Sequence, residues 1–132
     1  MIRSAEEFAQ LRLSENPEEY GRAATDSASI EVWRDTAAKY PHLRFWIAQN
    51  KTVPSEMLVE LAQDPDVNVR SMVARKRKLP VDLQFLLATD DDPSVRAALA
   101  RNLTLVAEVR MLLLADHDPF VAEAAGRQQD GG

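Results

Sequence analysis

A chain of 132 residues with a formal net charge of −5 is long enough to build a core, and its acidic balance weighs against a dedicated nucleic-acid binder. Apolar residues at 45%, charged residues at 28% and only 4 glycines favour a globular helical protein over a sandwich or barrel. With no cysteine there is no disulfide framework, thiol nucleophile or thiolate metal site, which fits a cytoplasmic protein. No apolar run nears the ~20 residues of a membrane span, and MIRSAEEFAQ lacks a secretory apolar core.

The first predicted element is a lead-in helix over about 4–14 (SAEEFAQLRLS). Asn16-Pro17 and Tyr40-Pro41 then bracket a divergent helix pair at about 17–40. Residues 1–40 therefore read as the N-terminal cap of a more regular array over 41–127. In that array Arg44, Arg70 and Arg96 follow one another at 26 residues. Other columns keep the same step: Ala48, Ala74, Ala100; Met57, Leu83, Val109; Leu61, Leu87, Leu113. Two acidic columns run beside them, Asp64, Asp90, Asp116 and Asp66, Asp92, Asp118.

Each copy predicts two short helices. The first, near 66–76, opens at Asp, a good N-cap, with Val69, Met72 and Val73 at i, i+3 and i+4. The second, near 81–89, follows Leu-Pro and places Leu83, Leu86 and Leu87 on one stripe. Neither helix buries its stripe alone, so neighbouring pairs must stack. The last copy stops after one helix, and 128–132 predicts a disordered tail. The expected fold is all-α: an α-solenoid of stacked helix pairs in a single domain, 1–127.

The units DPDVNVRSMVARKRKLPVDLQFLLATD and DDPSVRAALARNLTLVAEVRMLLLAD carry a shared pattern: Asp-Pro, a short gap, Val-Arg, then Val or Leu before Ala. In this the chain resembles bacterial leucine-rich repeat variant and short HEAT-like repeat proteins, over residues 41–127. The 26-residue unit is shorter than the ~40–47 residues of ordinary HEAT repeats and favours the variant. The resemblance implies a right-handed superhelix with a concave face. Some variant-family proteins bind an iron–sulfur cluster through N-terminal cysteines. This chain has none, so no cofactor is carried over.

The Val-Arg column admits two readings. Arg44, Arg70 and Arg96 either line an anion-binding groove or pair with the Asp columns as a structural ladder, and recurrence at one phase favours the ladder. The triplets Asp64-Pro65-Asp66, Asp90-Asp91-Asp92 and Asp116-His117-Asp118 either cap helices or offer oxygens to a cation. Without a calcium loop's longer ligand set, capping is preferred and no metal is expected. No catalytic motif is present, so no catalytic residue is assigned.

Six of the eight aromatics lie in the first 46 residues. Trp33, Tyr40, Phe45 and Trp46 are the candidate partner-binding residues, with closure of the core as the competing account. The run Arg75, Lys76, Arg77, Lys78 falls in the turn between two helices. With Arg70 it forms a candidate anion or nucleic-acid contact. The function expected from these features is non-enzymatic protein binding, as a bacterial adaptor or a toxin-neutralising immunity protein, with a basic protein as partner. A HEAT-like nucleic-acid binder using residues 75–78 is the alternative.

Overall fold

The computed structural model describes residues 1–130, with side chains through Arg127. Among the described residues the chain is all helical: ten α-helices and one 3-10 turn, with a lone parallel bridge between Ile2 and Ala28. None of these helices is long and apolar enough to cross a membrane. The chain forms two compact units that part between Leu61 and Ala62.

The first unit holds α1 (Ala5–Leu13), α2 (Pro17–Thr25), α3 (Ile30–Lys39), a 3-10 turn (Pro41–Leu43), α4 (Arg44–Gln49) and α5 (Ser55–Leu61). Three of its helix starts are fixed by short polar side chains. The Ser4, Asn16 and Ser29 side chains accept the N–H groups of Glu7, Glu18 and Val32, which the first helical turn leaves without partners. Ile2, Phe8, Trp33, Ile47 and Met57 fill the interior.

The second unit holds α6 (Val67–Ala74), α7 (Val81–Ala88), α8 (Pro93–Ala100), α9 (Ala107–Leu114) and α10 (Pro119–Asp130). Helix α8 packs against both α6 and α10, while α7 packs against α9. Small residues make the central position of α8 feasible: every residue from Val95 to Ala100 is buried, and all but Arg96 are aliphatic or alanine. Val69, Leu87, Leu99, Leu113 and Val121 are among the buried aliphatics of this unit.

Two expectations change. The inward face of α7 is Leu83, Gln84, Leu87 and Ala88, and Leu86 points to solvent. Gln84 displaces it because its amide serves two backbone groups: Nε2 donates to the Leu79 carbonyl at 2.9 Å and Oε1 accepts from Val106 N–H at 2.9 Å. Helix α10 also runs on to Asp130, three residues into the segment read as tail, and the last two positions lie outside the described residues.

Candidate functional site

The arginines of the second unit are bonded alike. Arg70 Nε donates to Asp90 Oδ2 at 2.9 Å and its Nη2 to Oδ1 at 3.3 Å. Arg96 makes the same two bonds to Asp116, at 2.9 and 3.3 Å. Each Nη1 turns back to its own loop, to the carbonyl of Asp64 at 2.8 Å or of Asp90 at 2.7 Å. In the first unit Arg44 Nε donates to the Ala37 carbonyl at 2.9 Å.

The carboxylates complete the loops. Asp64, Asp90 and Asp116 each accept the N–H two residues on, all at 2.9 Å. Asp66, Asp92 and Asp118 cap the following helices. Burial pushes the Asp116 carboxyl up, but the Asp118 N–H and the Arg96 guanidinium outweigh it and hold it below the ordinary range. The Asp90 bond raises the Arg70 guanidinium further. Arg70 is thus a strut of the loop scaffold, and the anion-contact role read for it has no free fork to rest on. Among the described residues no cluster of three or more His, Asp or Glu is placed to hold a metal. His117 is an exposed loop residue.

The turn that holds the cation run has a design that periodicity alone does not reveal. Asn102 is buried, and its Nδ2 donates to the carbonyls of Ala74 and Lys76 at 2.9 and 2.8 Å. Its Oδ1 accepts from the N–H and hydroxyl of Thr104. Asn50 repeats this with Ala23, Asp26 and Thr52. Lys76 and Lys78 stand in the registers of that Asn and Thr. Lys76 is half-buried, and burial lowers its ammonium pKa. Arg75, Arg77 and Lys78 are exposed.

The four candidate aromatics separate by depth. Trp33 is fully buried, its ring edge-on to Phe8 at 5.4 Å, so it is core and presents nothing to a partner. Tyr40 ends α3 half-buried, edge-on to His42. Phe45 and Trp46 are half-buried and meet edge-on at 4.9 Å. Arg12 sits over the Trp46 ring, its guanidinium carbon 3.5 Å from the centroid. These last two residues border a cavity of about 620 Å³ with Ser14, Tyr20, Gly21, Ala24 and Gln49. Gly21 lies inside α2, where glycine costs about 1 kcal/mol relative to alanine. No packing demands it, since a Cβ there meets nothing within 4 Å.

The second unit also exposes apolar side chains that the aromatic count does not find. Phe85 (40%), Leu86 (44%), Met111 (68%) and Leu112 (51%) face solvent from α7 and α9, which pack together. The signal was present in VDLQFLLA, which is apolar around most of its circumference and so has more apolar surface than one buried stripe can hide. No protein-family model matches the chain, and neither does any curated protein or solved structure.

Proposed function

We propose that the chain is a short right-handed α-solenoid of helix pairs repeating at about 26 residues, and that it works as a non-enzymatic protein-binding module. The repeat is supported by the two arginine–aspartate struts, bonded alike one step apart. The binding function is carried by one observation: Phe85, Leu86, Met111 and Leu112 stand exposed on the packed pair α7 and α9. Exposed apolar side chains gathered on neighbouring helices suit a protein contact, because a partner removes them from water. Exposed Asp82 and Glu108 open the same two helices and give the apolar face acidic neighbours. With the net charge of −5, they suit a basic partner through steering and rim complementarity. A bacterial adaptor or an immunity protein that neutralises a basic toxin would use such a face.

The double variant Phe85→Glu/Met111→Glu tests this. Both side chains already face water, so the helical circular dichroism should persist. A partner cross-linked to the wild-type chain in cell extract and identified by mass spectrometry should fall at least about tenfold in yield. Capture of the same proteins in equal amounts would sink the assignment.

A further inference from the structure

The cavity of the first unit is bordered by a charged group that forms no ion pair among the described residues. Elsewhere in this unit Arg22, Arg34 and Lys39 each hold a carboxylate. Among the described residues Arg12 holds no carboxylate and its guanidinium donates no hydrogen bond. Its Nε is closed off from solvent, also without a partner. Stacking on Trp46 instead fixes the guanidinium beside about 620 Å³ of open space. That volume falls in the ~300–1,000 Å³ range of small-ligand pockets. A guanidinium held flat by an aromatic is a preorganised fork whose natural complement is a carboxylate or phosphate.

Two neighbours narrow the choice. Ser14 on the cavity wall donates its hydroxyl to Glu19 at 3.0 Å, which places a carboxylate beside the site. That fixed negative charge penalises a dianionic phosphate more than a singly charged carboxylate. Tyr20, Gly21 and Ala24 give the α2 wall an aromatic ring and small residues, and the bare Gly21 keeps the space before it open. We infer that this cavity binds a carboxylate carried on an aromatic or other apolar group, the carboxylate on Arg12 and the apolar body against Tyr20 and the Gly21–Ala24 face. The carboxylate is either that of a free aromatic acid or the C-terminus of a polypeptide. The site does not depend on the α7–α9 surface.

The test is a titration of the full chain, ¹⁵N-labelled, with N-acetyl-phenylalanine and with its uncharged amide. The Trp46 indole N–H and the Gly21 amide resonances should move with a Kd of about 1 mM for the acid, and at least about tenfold more weakly for the amide. Arg12→Gln should weaken the acid by at least about tenfold. Gly21→Leu should abolish binding while keeping the helical signal, because its Cβ enters open space. A peptide ending in a free phenylalanine, if bound about tenfold tighter than the small acid, assigns the site to a polypeptide terminus. Equal affinity assigns it to a free acid. No movement at about 20 mM acid, equal binding of the amide, or undiminished binding by Arg12→Gln overturns the inference.

Discussion

Arg96 and Asp116 form an ion pair shut away from water, their side chains 8% and 7% exposed, while Arg34 and Glu60 pair at 53% and 45%. Burial makes the difference between a strut and an ornament. Arg96→Ala would leave the Asp116 carboxylate buried without its counter-charge, and urea unfolding should read a loss of about 3 kcal/mol. Arg34→Ala should cost under about 1 kcal/mol, since both partners return to solvent. Equal costs would deny the ladder a structural role. Asp116 also sets an acid limit. Its folded pKa lies below the ordinary value of 3.8, so the stability it contributes is present above that value. It is lost as pH falls through the lower, folded value. Urea midpoints should therefore drop below about pH 4, and Asp116→Asn should start less stable and show a shallower drop.

Between helices, the backbone rather than the side chain is at stake. Asn102→Ala would strip the Ala74 and Lys76 carbonyls of their shared donor, with an expected loss of about 2 kcal/mol on thermal or urea unfolding. Thr104→Val, which removes a hydroxyl bonded only to the Asn102 amide oxygen, should cost less than about 1 kcal/mol. A reversed order would place the Asn in a packing role instead. These elements also show what a sequence discloses. The Asp-to-helix starts and the Arg–Asp pairing were legible because charge at fixed phase has few structural uses. The Asn turn was hidden, because Lys76 and Lys78 interrupt the column between AQNKTVP and ARNLTLV. Leu86 was misplaced because a spacing of i, i+3, i+4 says nothing of a glutamine that two backbone groups draw inward. Trp33 and Trp46 look alike in a composition, yet one lies fully buried against Phe8 and the other half-buried under Arg12.

At the scale of the molecule, two uncommitted features of different character stand out among the described residues. The first unit holds a guanidinium fork beside a cavity; the second holds an apolar face with acidic neighbours. Neither was fully legible, because each is defined by what the fold leaves unused. The strut geometry has a consequence for how such a chain can grow. Arg70 reaches Asp90 and Arg96 reaches Asp116, always 20 residues ahead, while the arginines themselves advance by 26. Adding or deleting one whole 26-residue step keeps each of these two arginines at the same distance along the chain from a carboxylate. An insertion of any other length between an arginine and its aspartate breaks that register. The bonding of these two struts is thus kept by whole steps and broken by fractions of one.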